Sequence, residues 1–393
     1  MLVQRAQHAC FNAAVEFVES DRAVFLDQWQ QIALIPAPEG AEAERAELIA
    51  AFAREAGAEV SLDRVGNVVA TLAGTGSREL TFLATMDDLD SVAQARRSSD
   101  LLAIEGDRLV GPCTQVTASD ATGLALLRFA RQHRTFGTLT VAFVLGEETG
   151  LTGVRALCAD RGDRLGWVVD LMGGVGTISW NAIGFDGMVF EFSAEPRHSL
   201  YGGVSAVSDA IARFVTALHA DVPASVPPEP VPGVPPSGPL TIRRVNQIAA
   251  GEVFNHSPQR GMVGVDLRST SPDVLSSLGA QTRALAATVA ASCRVSLVCR
   301  DGVQQPAALL AGGASHPLVL AAADAVRSVG VEPILRPWSS SNINVAYEHG
   351  LDGIVHDDPT RGGGRGTEQE WADISRVLRG LAADCRLLHQ VSA

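Results

Sequence analysis

The chain has 393 residues, 46% of them apolar and 19% charged, which excludes a disordered polymer and leaves room for two domains with separate cores. Its formal net charge of -13 argues against nucleic acid or an anionic membrane as partner. No apolar run approaches the ~20 residues of a membrane span. Met1 to Cys10 lacks the basic start and apolar stretch of an export signal. The six cysteines (Cys10, Cys113, Cys158, Cys293, Cys299 and Cys385) form no C-x-x-C pair, so neither a zinc knuckle nor a redox motif is indicated. A cytoplasmic protein with free thiols is expected.

In chain order, residues 24 to 35 read as a helix ending near Pro36-Ala37-Pro38, and residues 41 to 56 as a second helix rich in Ala, Glu, Arg and Leu. Val60 to Ala73 alternates like a strand, with Gly66-Asn67 as its turn. Residues 80 to 84, 140 to 145 and 166 to 170 are short apolar runs of buried-strand type, with helices expected at 120 to 134 and 150 to 160. That rhythm predicts an α/β fold, a doubly wound mixed sheet with helices on both faces.

The pattern changes after Asp170. Gly184 to Phe192 reads as extended and Val204 to His219 as a helix, while residues 223 to 239 carry eight prolines and read as an exposed loop. Met262 to Leu267 and Arg294 to Cys299 read as strands around a helix from Pro272 to Ser292. The α/β signal resumes with a helix from His316 to Val329, a strand from Gly353 to His356 and a helix from Glu370 to Leu388. The expected organisation is a catalytic domain in two pieces, 1–183 and 303–393, interrupted at 184–302 by a smaller α+β lid or dimerisation domain.

Acidic residues stand at four places along this frame. Asp87 follows the run Leu80 to Leu83, Asp120 opens a helical stretch, Glu147-Glu148 follows Val141 to Leu145, and Asp170 ends Trp167-Val168-Val169. A carboxylate at the end of a buried strand is costly unless it is paired, protonated or bound to a cation. Four such places predict one shared cleft.

The order and spacing of these segments resemble the di-zinc family of aminoacylases, carboxypeptidase G and tripeptidase T over nearly the whole chain. Leu34 to Pro38 stands where that family has an early Pro/Ser-containing loop, and Asp63 to Val68 is similar to its D-x-x-G-N strand. Thr85-Met86-Asp87 resembles its H-x-D, Asp120-x-x-Gly123 its D-K-x-G, and Gly146 to Gly150 its E-E-x-G. Asp170 falls on the next metal carboxylate, and Arg197-His198 falls near the lid histidine. Asn255 to Pro258, Val265 to Arg268 and Ser340 to Asn344 resemble its N-x-x-P, D-x-R and S-T-D-x-N elements.

The two metal histidines of that family are absent. The first position is Thr85 and the second, four residues before Glu370, is Gly366. The carboxylates left over as metal ligands are Asp120, Glu148 and Asp170. An all-oxygen set suits magnesium, manganese or calcium better than zinc, which prefers nitrogen and sulfur donors. The cofactor is therefore a divalent cation (magnesium, manganese or partly bound zinc) or none. His356, ten residues before Gly366, is a candidate substitute donor.

The resemblance also implies roles. In that family a metal-activated water attacks the amide carbon, and the glutamate matching Glu147 takes its proton and hands it to the leaving amine. Asp87 matches the residue that orients a metal histidine. His198 matches the donor to the developing oxyanion. Arg268, Asn255 and Asn344 are the expected contacts of a small substrate bearing a carboxylate.

Each residue also has an ordinary reading. Asp120 could cap a helix, Asp170 could sit in a turn, and Arg268 could be a strand-face ion pair. Cys113 near Asp120 reads as a buried structural thiol.

Three functions follow. The first is a metallopeptidase- or aminoacylase-like hydrolase of a small amino-acid conjugate or peptide, with an altered or missing metal site. The second is a metal-independent acid/base enzyme catalysing isomerisation, cyclisation or elimination. The third is a binding homologue without catalysis. A homodimer formed through the inserted domain is compatible with all three.

Overall fold

The computed structural model describes residues 2–89, 102–147, 150–220 and 240–392. The chain divides into two units, Met1–Asn181 with Leu309–Ala393, and Ala182–Ala308. The Pro-rich run 223 to 239 and Glu148 lie outside the described residues.

The first unit is built on an eight-stranded mixed sheet. Its order is Glu59–Leu62, Val68–Ala73, Thr138–Val144, Leu80–Thr85, Trp167–Leu171, Gly353–Asp357, Thr177–Ser179 and Ile334–Arg336. The four central strands run parallel, while Val68–Ala73 and Thr177–Ser179 pair antiparallel on either side of them. Leu80–Thr85 is buried at every position, as expected for a strand covered on both faces. Successive side chains alternate between two cores. Phe82 and Ala84 face a large cluster with Leu124, Phe129, Leu318 and Leu381. Leu83, with Ala142, Val144 and Val168, faces a second cluster that includes Val154, Leu157 and Ile343.

The first helix runs Leu2–Ala33, more than twenty residues earlier than the sequence pattern at 24 to 35 indicates. Its buried residues Ala14, Phe17, Val18, Phe25, Trp29 and Ile32 keep a three- and four-residue spacing. The charges interleaved among them disguise that stripe. Asp21, one of them, is pulled inward by Arg128 at 2.6 Å. A small four-stranded sheet of Gly362–Gly363, Trp371–Asp373, Arg108–Val110 and Ala103–Glu105 also escapes the sequence pattern, because strands of two or three residues carry no readable period.

The second unit is a four-stranded antiparallel sheet, in the order Thr241–Ala250, Arg260–Ser269, Gly184–Ser193 and Ser296–Gln305. Helices Ala206–Ala220 and Pro272–Cys293 pack on it through Phe214 and Ala286, which meet Met188, Phe190, Phe192, Val263 and Leu267. Thr241–Ala250 is an added strand, mostly exposed and at the sheet edge, so it lacks the buried alternation that marks its neighbours. The architecture is thus α/β with a doubly wound mixed sheet and an inserted α+β unit.

Candidate active site

Three adjacent parallel strands carry the carboxylates to one edge of the main sheet. Asp87 lies two residues beyond Leu80–Thr85, Glu147 three beyond Thr138–Val144, and Asp170 is the fourth residue of Trp167–Leu171. Asp120 sits in the first turn of the helix Thr117–Gln132, buried, with Ala121 and Leu124 packed in the core beneath it. The carboxyl ends of parallel strands are where open α/β sheets place their ligands.

Hydrogen bonds tie two parts of this edge. The backbone N–H of Glu147 donates to Oδ1 of Asp87 at 3.0 Å. Asn342 donates through Nδ2 to Thr85 Oγ1 at 3.2 Å and to Asp170 Oδ1 at 3.3 Å. Asp87, Asp120, Asp170 and Asn342 are fully buried. Among the described residues, both oxygens of Asp120, Oδ2 of Asp170 and Oδ1 of Asn342 have no hydrogen-bond partner. Burial pushes the Asp120 carboxyl well above the usual carboxylate range; nearby Arg45 pulls it down, and Asp88 and Asp87 push it further up. Burial likewise raises Asp170 to about 6, against hydrogen bonds from Ser341 and Asn342 that favour its ionised form. Asn344 accepts the backbone N–H of Ser341 at 3.1 Å and is buried.

Beneath the cleft lies an ion pair the sequence pattern does not single out. Arg45 is wholly buried and grips Asp88 at 2.7 and 2.9 Å while also donating to the carbonyl oxygens of Met86 and Ile35. Asp88 accepts in addition from the backbone of Ala37 at 3.0 Å and from the Cys113 thiol at 3.1 Å. Burial, and then the charge of Asp88, push that thiol up and favour its protonated form. Its φ of 69° is uncommon for a residue other than glycine.

Two recesses open beside these groups. One is lined by Asp87, Asp88, Cys113, Val116, Arg365 and Glu370. The other is lined by Thr85, Val116, Ser119, Glu147, Arg361 and Arg365, together with Leu171 and Met172. Glu370 accepts from Gln115 N at 2.8 Å and from Gly366 N at 3.2 Å, and burial raises its carboxyl. Gly366 therefore contributes a backbone donor, at a φ of 82°. The arginines Arg361 and Arg365 were not among the sequence candidates. Their stretch, Arg361-Gly-Gly-Gly-Arg365, has the composition of a loop, and its charge was the available signal.

His356 does not turn toward the carboxylates. Its Nδ1 pairs with Asp384 Oδ1 at 2.6 Å, both groups are buried, and Nε2 has no partner among the described residues. Burial pulls this imidazole down, but the Asp384 charge and hydrogen bond carry it above its ordinary value.

The remaining candidates belong to the second unit. His198 and Asn255 are neighbours there: His198 bridges His256, whose ring lies 4.7 Å from its own, and the Asn255 carbonyl accepts the Ser199 N–H at 2.9 Å. Arg268 lies near the far end of Arg260–Ser269, roughly 27 Å along the strand from Arg260 at ~3.4 Å per residue. It pairs with Asp266 at 3.0 Å and stacks over Phe185 at 4.4 Å.

Known structures share this fold over nearly the whole chain. An aminopeptidase PepT from Bacillus cereus superposes with a TM-score of 0.75 at 19% identity, covering 94% of this chain and 98% of that one. A tripeptidase from Staphylococcus aureus gives 0.77 at 15%, covering 94% and 98%. A dinuclear metal-binding peptidase of the M20 family from Bacillus subtilis gives 0.70 at 14%, covering 95% and 99%. The fold is that of M20-family peptidases. No family model and no curated protein matches the sequence. Among the described residues, no helix is long and apolar enough to cross a membrane.

Proposed function

We propose that the protein is an amide hydrolase of the peptidase and aminoacylase type, acting on a small amino-acid conjugate or peptide without a two-zinc centre. The observation that carries this is the recess in which Glu147 shares walls with Thr85, Ser119, Arg361 and Arg365. Glu147 is the proton-transfer group, with its backbone tied to Asp87. It takes a proton from a water that attacks the amide carbon, and the C–N bond then breaks as that proton passes to the leaving nitrogen. Arg365, which lines both recesses, supplies positive charge to the oxyanion that forms on the amide oxygen.

The donor chemistry supports a cleft that does not hold two zinc ions. Thr85 Oγ1 is engaged by Asn342, and Gly366 has no side chain to offer.

One observation favours a second reading. Asp120 lies in the first turn of its helix at the carboxyl-end edge of the sheet, with both oxygens unpartnered among the described residues and its carboxyl raised by burial, so it could serve as an acid in an isomerisation or cyclisation. The test is turnover of a panel of N-acyl amino acids and dipeptides by purified, chelator-treated protein and by its Glu147→Gln variant. Cleavage by the wild type that survives chelation and disappears in Glu147→Gln is the expected result. Cleavage that needs added zinc overturns the metal-free reading, and isomerised or cyclised product without cleavage selects the second.

A further inference from the structure

We infer that the side-chain amide of Asn342 stands in the place of a cation between Thr85 and Asp170, so that this part of the cleft is closed to a divalent metal by the chain itself. The inference deepens the reading of a cleft without two zinc ions, and its test reads cation binding rather than turnover.

The sheet brings the two acceptors to one face. Leu83 pairs with Asp170 in parallel register. Thr85 lies two residues beyond Leu83, so their side chains point the same way. Leu83 and Val168, the residue two before Asp170, pack with Ile343 in one cluster. Thr85 and Asp170 therefore share the face that the segment 341–343 covers.

Asn342 Nδ2 donates to Thr85 Oγ1 at 3.2 Å and to Asp170 Oδ1 at 3.3 Å. One nitrogen thus serves an oxygen from each strand. A divalent cation bridging those oxygens, at about 2.0–2.6 Å from each, would have to stand where that nitrogen stands. All three residues are buried, so the donors that Asp170 needs come from the protein or from a bound cation.

An amide suits the place. Its NH2 group carries two protons in one plane and offers one to each acceptor, without net charge. Turned over, it would set its oxygen against the Asp170 carboxylate. Asn342 Oδ1 has no hydrogen-bond partner among the described residues, so the bonds to Thr85 and Asp170 are the ones that orient the amide. A cation here would meet a neutral hydroxyl, one carboxylate and a donor nitrogen, a set that does not fit a divalent metal. Asn342→Asp keeps the shape and replaces the donor with an oxygen. Two carboxyl groups then face each other and cannot both ionise without a counter-cation.

For the experiment, chelator-treated full-length protein is dialysed against manganese and the bound ions are counted by mass spectrometry, with melting temperature as a second reading, in wild type, Asn342→Asp and Asn342→Ala. Asn342→Asp should bind manganese at least about tenfold more tightly than wild type, and manganese should raise its melting temperature by about 3 °C more than it raises that of wild type. A residue that only packs would change stability alike with and without manganese. Asn342→Ala vacates the place without adding charge and should gain less. Equal manganese binding by wild type and Asn342→Asp overturns the inference, and an Asn342→Asp chain that folds only with manganese supports it. Should that variant fail to fold under both conditions, Asn342→Ala decides: tighter binding than wild type supports the inference and binding no tighter overturns it. Failure of both variants to fold with manganese also overturns it, because a cation then does not stand in for the amide. A wild type that cleaves no amide removes the hydrolase reading and leaves this inference standing. Amide cleavage that needs zinc, with manganese binding still gained only by the Asn342 variants, removes the metal-free reading alone.

Discussion

The backbone nitrogen of Glu147 donates to Oδ1 of Asp87 across two neighbouring parallel strands, at 3.0 Å. The resemblance assigns Asp87 to orienting a metal histidine, but its neighbour at that position is Thr85. Here the carboxylate instead anchors the turn that presents Glu147. Glu147→Gln should lower kcat by about a hundredfold to ten-thousandfold with little change in binding, the usual range for removing a general base. Asp87→Asn keeps the shape and weakens the anchor, so it should lower kcat less than Glu147→Gln does. Steady-state kinetics on the first substrate found will check both.

Metal content is a separate test. After equilibration with zinc and removal of the excess, mass spectrometry should find fewer than two zinc ions per chain, because Thr85 and Gly366 provide no nitrogen donors. The double substitution Thr85→His with Gly366→His should raise the zinc content. A histidine at Gly366 meets a φ of 82°, a strain of about 1–2 kcal/mol, so the gain comes with a lower melting temperature.

Asp170 sets a pH dependence of stability. Its folded-state value is about 6, above the ordinary 3.8, so the folded protein holds this proton more tightly than the unfolded chain. Its contribution is therefore fully present below about pH 4 and is lost as pH rises through about 6, with a span of about 3 kcal/mol. Asp170→Asn cannot ionise. In urea titrations of chelator-treated protein, the variant should lose less stability than wild type between pH 4.5 and 7.5. Equal losses would show that Asp170 does not carry the effect.

The buried pair Arg45–Asp88 should be intolerant of single changes. Arg45→Met leaves Asp88 a buried carboxylate without its counter-charge, and Asp88→Asn leaves the guanidinium unpaired. Each should cost about 3–5 kcal/mol, read as a shift of the urea midpoint with unchanged slope. Arg213→Ala, which breaks an exposed helix pair, is the control and should cost less than about 1 kcal/mol.

The strand rhythm of the main sheet and the carboxylates at its strand ends were legible in the amino-acid sequence, because burial on both faces leaves continuous apolar runs and a charge after such a run stands out. The positions of Thr85 and Gly366 were legible for the same reason, as departures at defined spacings. Tertiary structure alone decided the rest. Asn342 ties Thr85 to Asp170 from 257 and 172 residues away, and Arg45 reaches Asp88 across 43. Arg361 reads as a surface charge in a glycine loop until the turn at Gly173-Gly174 admits it beside Glu147. His356, a plausible metal donor by sequence, was turned to Asp384 by packing of the final helix. The physical reason is common to all four. Polarity and periodicity are local properties of a chain, whereas the partner that stabilises a buried charge is chosen by whichever segments the fold brings together.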